Sequence, residues 1–312
     1  TEAARRIRTG RLTATELMEA QLDRITAREP ALRAFAWFNP AQALAAAHAV
    51  DRAGASGPLA GISFGIKDVL DTADMPSQYG SPAWAGHRPR SDAACVALAR
   101  RAGAVIAGKT VTTEFATRHP GPTANPHNHR HTPGGSSSGS AAGVAAGFFQ
   151  LAFGTQTAGS IVRPAAFCGA VGFKPTYGTL HRAGMKVMSE SLDTIGVMAR
   201  SVADCALAMS ALTGADHGDP DARPGRAPKL ALVLGPDTAI VAHETLALMD
   251  RAAEACRRAG ATVEPLELPA ALRAAYDAHP TVMNAESAEA LAWEMDHARA
   301  QLSEVLRDRM DW

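Results

Sequence analysis

The chain has 312 residues, 46% of them hydrophobic and 20% charged, with 31 basic residues against 31 acidic ones. That length suffices to bury a core without a disulfide or metal staple, and the balanced charge leaves no footprint for nucleic acid or an anionic membrane surface. The composition is that of an ordinary globular protein, and the missing footprints favour a small, diffusible substrate.

The four cysteines, Cys95, Cys168, Cys205 and Cys256, are widely spaced and form no CxxC pair. They read as free thiols in a reducing compartment rather than as a disulfide framework or a zinc site. The longest apolar tract, Ala141 to Gly154, is interrupted by Gln150 and is too short to span a bilayer. The N-terminal segment is charged and helix-like rather than a signal peptide, so the expected location is the cytoplasm. Only five of the basic residues are lysines. A site that needs nothing but positive charge would hold arginine in such a chain, which draws attention to Lys67, Lys109 and Lys174.

Thr13 and Glu16 form a capping-box pattern, and Leu17, Met18, Leu22 and Ile25 follow at helical spacing. Asn39-Pro40 opens a second helix, with asparagine as cap and proline in the first turn. Ile62 to Lys67 reads as a strand after the turn at Gly57-Pro58. Ser91 is expected to cap a helix through about Ala102, before a short strand at Val105 to Ala107. A loop from His119 to Ser138 leads into a small-residue helix from about Ser140 to Phe149, then a strand at Leu151 to Gly154. Ser201 and Asp204 cap another helix. Lys229 to Leu234 is a strand, His243 to Ala259 a helix and Thr262 to Glu264 a strand. The chain ends inside a charged helical pattern, Ser287 to Met310, which no glycine or proline stops. This alternation predicts one α/β/α layered domain over 1–312 with a central mixed, largely parallel sheet. The unterminated last helix suggests that part of the natural C-terminus is lacking.

Two glycine- and serine-rich loops separated by a helix and a strand carry the chemistry. The first is Gly134-Gly135-Ser136-Ser137-Ser138-Gly139-Ser140-Ala141-Ala142-Gly143, and the second runs from Gly154 through Ser160 to Ala165. Glycines let backbone approach a ligand closely and turn its N–H groups inward, as an oxyanion site requires. Flexible serine-glycine turns are the bland alternative, although linkers of that kind are seldom tied to apolar segments. Upstream, Gly65-Ile66-Lys67-Asp68 ends a strand. A lysine buried there loses its proton readily and can serve as a general base. The alternative is a surface charge pair between Lys67 and Asp68.

GIKD, PGGSSSGSAA, TAGSIVRPA, FCGAVGFKPTYG and SLDTIG occur in that order, and the region from about residue 11 to residue 212 resembles the amidase signature family. The resemblance implies a Ser-cisSer-Lys triad. Lys67 matches the base, Ser136 the relay serine joined to Gly135 by a cis peptide, and Ser160 the nucleophile. It implies an amidohydrolase that cleaves the C–N bond of a small amide through a Ser160 acyl-enzyme. The backbone N–H groups of Thr157, Ala158, Gly159 and Ser160 would hold the oxyanion, and neither cofactor nor metal is called for. Two positions depart from the family pattern. Ala158 stands where glycine is common, with a cost of about 1 kcal/mol if the position requires positive φ. Gln156 stands where many relatives have aspartate, which leaves its hydrogen-bond partner open.

Three other patterns compete. Gly103-Ala104-Val105-Ile106-Ala107-Gly108-Lys109-Thr110 fits a P-loop, but a helix precedes it and its middle residues are strand-like. Gly135-Ser136-Ser137-Ser138-Gly139 fits the nucleophile elbow of α/β-hydrolase-type esterases, but no strand leads into it. His127, His129 and His131 alternate along a loop without cysteine or carboxylate partners, so solvated histidines are expected rather than a metal site. Arg163, Ser137 and Asp193 are the candidates for touching substrate, with Arg163 suited either to a substrate carboxylate or to a structural ion pair. The loops Met75 to Ser81 and Ser189 to Thr194 could line the pocket. No membrane or nucleic-acid partner is expected, and a homodimer stays open. Within the family, the runner-up to a free-standing amidase is one component of a tRNA-dependent amidotransferase.

Overall fold

The computed structural model describes residues 2–219, 222–223 and 225–311. The chain divides into two compact units, Thr1–Pro220 with Met283–Trp312, and Asp221–Val282, where one domain over 1–312 was expected.

The first unit opens with α1 (Glu2–Arg8) and α2 (Ala14–Leu32). The expected capping box forms: Thr13 Oγ accepts from Glu16 N at 3.0 Å, and the Glu16 carboxylate takes Thr13 N at 2.8 Å. Strand β1 (Phe35–Phe38) follows, then α3 (Pro40–Arg52), capped by Asn39 as its sequence predicts. Next come β2 (Ser63–Lys67), α4 (Ala94–Arg101) and β3 (Val105–Thr110). Helix α4 starts after Ala93 and has no side-chain cap, so the expectation at Ser91 fails. The neighbouring Asp92 is drawn off to Ala73 N and Arg100 instead. Helix α5 (Ser138–Ala146) ends on Gly147, whose φ of 75° is the left-handed turn that stops a helix. Strand β4 (Leu151–Gln156), α6 (Val162–Cys168), β5 (Val171–Phe173), β6 (Thr194–Ala199) and α7 (Val202–Thr213) complete this stretch.

The six strands are ordered β1-β3-β2-β4-β6-β5. The central trio β3-β2-β4 is parallel, and β1, β6 and β5 join antiparallel. Alternate residues of each strand face two separate cores. Phe64, Ile66, Ile106, Phe153 and Val197 meet α4 and α7 on one side. Val105, Ala107, Ala152 and Met198 meet α2, α3 and α5 on the other. This is the α/β/α layering expected.

The second unit holds β7 (Lys229–Leu232), α8 (His243–Arg258) and β8 (Thr262–Pro265), with β7 and β8 paired in parallel. Helix α9 (Ala270–Ala290) follows. The charged tail expected as one helix over Ser287 to Met310 is broken into the end of α9, α10 (Ala292–His297) and α11 (Glu304–Met310). Ser303 stops and restarts the chain there, its Oγ accepting from Leu306 N at 3.2 Å. No helix among the described residues is long and apolar enough to cross a membrane.

Small residues let α5 lie close to the sheet. A methyl on Gly143 would come within 2.2 Å of the Phe149 ring, and one on Gly65 within 2.6 Å of the same ring. Gly143→Ala is therefore expected to lose about 1–3 kcal/mol of stability by overpacking. Chemical denaturation of Gly143→Ala, Phe149→Leu and the double variant checks this. The double variant should be more stable than the sum of the two losses, and strict additivity would refute the ring as the cause.

Candidate active site

The parallel strands end on one edge of the sheet, where ligands bind in open α/β folds. Lys67 ends β2, Thr110 ends β3, and Thr155 and Gln156 end β4. Lys67 is wholly buried, with a relative exposure of 0%. Its Nζ donates to Ser136 Oγ at 2.7 Å and to Thr155 Oγ1 at 2.6 Å. Among the described residues no carboxylate pairs with it. Burial pushes its ammonium down to about 7; the charge of Asp193 works against that shift and the charge of Arg163 reinforces it.

Asp68, the next residue, serves a different cation. It is buried and pairs with Lys109 at 2.8 Å. Lys109 also donates to Ser77 Oγ and to Pro76 O. Burial raises the Asp68 carboxyl while Lys109 draws it down. The expected alternative, a surface pair of Lys67 with Asp68, is thus overturned. The P-loop-like lysine belongs to β3, as its apolar neighbours required, and works as the counterion of Asp68.

Each serine of the first loop has a separate partner. The Gly135–Ser136 peptide is cis, and Ser136 O accepts from Thr113 N at 3.2 Å. Ser137, fully buried, exchanges hydrogen bonds of 3.3 Å with the O and N of Thr155. Ser138 Oγ reaches Val111 O at 3.3 Å, and Ser140 Oγ reaches Phe153 O at 2.8 Å. Ser137, Ser138 and Ser140 thereby stitch the start of α5 to β4 and to the end of β3, leaving Ser136 to face Lys67. Ser137 is engaged on both sides by the backbone of Thr155. Gly139 completes the fit, since a methyl there would stand 2.1 Å from Ala34 O.

The second loop brings Ser160 alongside. Ser160 O accepts from Ser137 N at 3.3 Å. Its side chain, 8% exposed, makes no hydrogen bond among the described residues. The backbone N–H groups of Ala158, Gly159 and Ser160 likewise find no acceptor among those residues. Gln156 fixes the loop: its Oε1 accepts from Ile161 N at 2.9 Å and Val162 N at 3.1 Å, while its Nε2 donates to Ala158 O at 2.9 Å. A carboxylate would cap the same two amides but could not hold that carbonyl. Ala158 does not have positive φ, so the cost foreseen for it does not arise.

Arg163 and Asp193 do not meet. Arg163 donates Nε and Nη2 to Gly135 O at 3.0 and 2.9 Å, clasping the carbonyl of the cis peptide. Asp193 is buried. It accepts from Met188 N at 2.8 Å and Ser189 N at 3.1 Å, and from Thr157 Oγ1 through its other oxygen. Thr155, Gln156 and the backbone-holding roles of Arg163 and Asp193 carry no sequence signal of their own; only the strand pairing of β4 with β2 reveals them. His127 is spent on Cys168 O, and among the described residues no three His, Cys, Asp or Glu side chains converge as metal ligands.

An amidase family model matches residues 16–310. Over 238 residues the chain is 44% identical to a glutamyl-tRNA(Gln) amidotransferase subunit from Chloroflexus aggregans, covering 73% of this chain and 49% of that one. It spans about half the length of the curated relatives it matches. A crystal structure of an amidase superposes with a TM-score of 0.90 at 30% identity, over 99% of this chain and 72% of the other. The native peptide amidase of Stenotrophomonas maltophilia does so with a TM-score of 0.82 at 36% identity, over 98% and 73%. The chain belongs to the amidase family.

A lysine held near 7 in the fold and at 10.5 when unfolded gives a stability that depends on pH. Between those values the unfolded chain binds the proton that the native state has lost, so stability rises with pH across that window. Below 7 both states carry the proton and the full cost of burying the charge applies, on the order of 5 kcal/mol. Lys67→Met is therefore expected to raise Tm, by more at pH 6 than at pH 10. A gain that is equal at both values, or a loss at pH 6, would contradict the buried-charge account.

Proposed function

We propose that this amidase-family chain cleaves the C–N bond of a small carboxamide through an acyl-enzyme on Ser160. The observation that carries the reading is the contact of a buried, carboxylate-free Lys67 with Ser136 Oγ. A lysine held near 7 exists partly as the free amine at neutral pH and can take a proton. In the proposed sequence Lys67 Nζ takes the Ser136 hydroxyl proton as Ser136 Oγ takes that of Ser160. Ser160 Oγ then bonds to the amide carbon, and the displaced π pair becomes an oxyanion before the N–H groups of residues 157–160. Collapse of this intermediate breaks the C–N bond, and the leaving nitrogen takes a proton from Ser136, which recovers one from Lys67. Water repeats the same transfers to release the acid.

The identity to amidotransferase components favours a second reading, in which nitrogen freed at the same Ser160 passes to an acceptor held by a partner. The two part company at one measurement. Ammonia that accumulates in solution with this chain alone supports hydrolysis, and amide cleavage that appears only with partner and acceptor supports transfer.

Two further outcomes check the chemistry. A fluorophosphonate probe should add its mass to the wild type at Ser160 and leave Ser160→Ala unlabelled; labelling that persists in that variant refutes Ser160 as nucleophile. The limb of kcat/KM on the acid side should have its midpoint near pH 7, because only neutral Lys67 is competent. Asp193→Asn removes the charge that raises Lys67 and should move that limb to lower pH, with a shift upward as the contrary result.

A further inference from the structure

Residues 188–193, which lead into β6, close into one turn. Ser189 O accepts from Asp193 N at 2.9 Å and from Leu192 N at 3.3 Å. The Asp193 carboxylate reaches back through one oxygen to Met188 N and Ser189 N, the first amides of the same turn. Its other oxygen accepts from Thr157 Oγ1, where the loop carrying Ser160 begins. Ser189 and Asp193 are buried, while Ser191 between them is exposed. The turn is thus locked on itself and hands its position on to the Ser160 loop through a single side chain.

Glu286 of α9 grips that turn from the other end of the chain. One of its carboxylate oxygens accepts from Ser189 Oγ and from Ser191 N at 3.0 Å, and the other accepts from Ser191 Oγ at 2.5 Å. Among the described residues it has no ion pair; Arg182, whose charge bears on it, pairs with Glu190 instead. The hydrogen bonds from Ser189 and Ser191 hold the Glu286 carboxyl below the usual carboxylate range. It therefore stays an anion that only accepts, and hydrogen bonds to an anion are roughly twice as strong as neutral ones. Ser189 is the shared residue: its N–H and C=O close on Asp193 while its hydroxyl goes to Glu286. The result is an unbroken line of contacts, Glu286 to Ser189 to Asp193 to Thr157.

We propose that Glu286 is a positioning residue for acyl transfer: acting through Ser189 and Asp193, it fixes Thr157 and with it the backbone N–H groups of residues 158–160 beside Ser160. The proposal rests on the reading of Ser160 as nucleophile. Donors aimed at a developing oxyanion act on the transition state far more than on the bound substrate, and a misplacement on the order of 1 Å costs about 10²-fold in rate. Loosening the turn should slow the chemical step and leave affinity nearly untouched.

The rate at which a fluorophosphonate probe labels Ser160 in the full chain separates these effects, because its concentration dependence gives kinact and KI apart. Glu286→Ala should lower kinact by about tenfold or more and keep KI within about twofold. Glu286→Gln should restore most of the rate, since its carboxamide oxygen still accepts from Ser189 Oγ and Ser191 N while its amide donates to Ser191 Oγ. Thr157→Val cuts the line at its far end and keeps the backbone N–H. In that background Glu286→Ala should cost no further rate. Labelling of Glu286→Ala at the wild-type rate, a change confined to KI, or losses that simply multiply in the double variant would each overturn the proposal. Ser189→Ala removes only the shared hydroxyl and carries the same test if Glu286→Ala does not fold. A wild type that takes no label at Ser160 strikes the proposed function as well, whereas those three results strike the positioning role alone.

Discussion

A charged amine with no acid beside it is the constraint on which the rest of this structure turns. Lys67 meets two hydroxyls, Ser136 and Thr155, and no carboxylate among the described residues. A carboxylate in contact would hold the proton on the amine, and burial would then yield a stable ion pair rather than a base. Asp68 is adjacent in sequence and could have been that carboxylate. Lys109, one strand over, removes it from contention by pairing with it directly. The two buried lysines thus divide the work. One neutralises the acid that the turn after β2 brings inside, which leaves the other without an acidic partner among the described residues.

That arrangement is exacting because neither hydroxyl is fixed by its own chemistry. Ser136 faces Lys67 because Ser137, Ser138 and Ser140 spend their hydroxyls on backbone oxygens of β4 and of the segment after β3, and because Arg163 clasps the carbonyl just before it. The second loop is held in the same manner from outside. Gln156 bridges its two ends, and Asp193 anchors Thr157 while accepting two further amides from residues 188 and 189. The polar groups around Ser160 are therefore occupied by protein, whereas the amides of residues 158–160 find no acceptor among the described residues. The unspent donors lie together beside Ser160.

The sequence made the layers legible because strong local signals set them. The capping box at Thr13, the Asn39-Pro40 start and the apolar runs ending in Lys67 and Gly154 each fix an element without help from afar. Strands β1, β5 and β6 escaped it: β1 and β5 are only four and three residues long, and β6 is placed by its antiparallel pairing with β4, distant in sequence. The three candidate catalytic positions were legible only through resemblance. Spacing could bring two hydroxyl loops together, but it could not say which serine of the run faces the lysine. Ser137 shows why: its immediate surroundings in sequence match those of Ser136, and only the register of β4 turns one hydroxyl to the lysine and the other to Thr155. The roles of Arg163 and Asp193 were illegible for the same reason, because both act on backbone groups.

The candidate catalytic residues and the loops that flank them sit on different parts of this unit. Lys67, Ser136 and Ser160 stand at the ends of β2 and β4 and at the start of α5, the most tightly packed elements of the layered core. The residues flanking them come from the loops at 113–119 and 188–193. Both loops are tied to the helices after Met283, one through Glu114 with Ser303 and the other through Glu286 with Ser189 and Ser191. Changes in those helices would move the two loops without touching the strand ends. A family could on this plan keep one way of breaking an amide bond while altering which amides reach it.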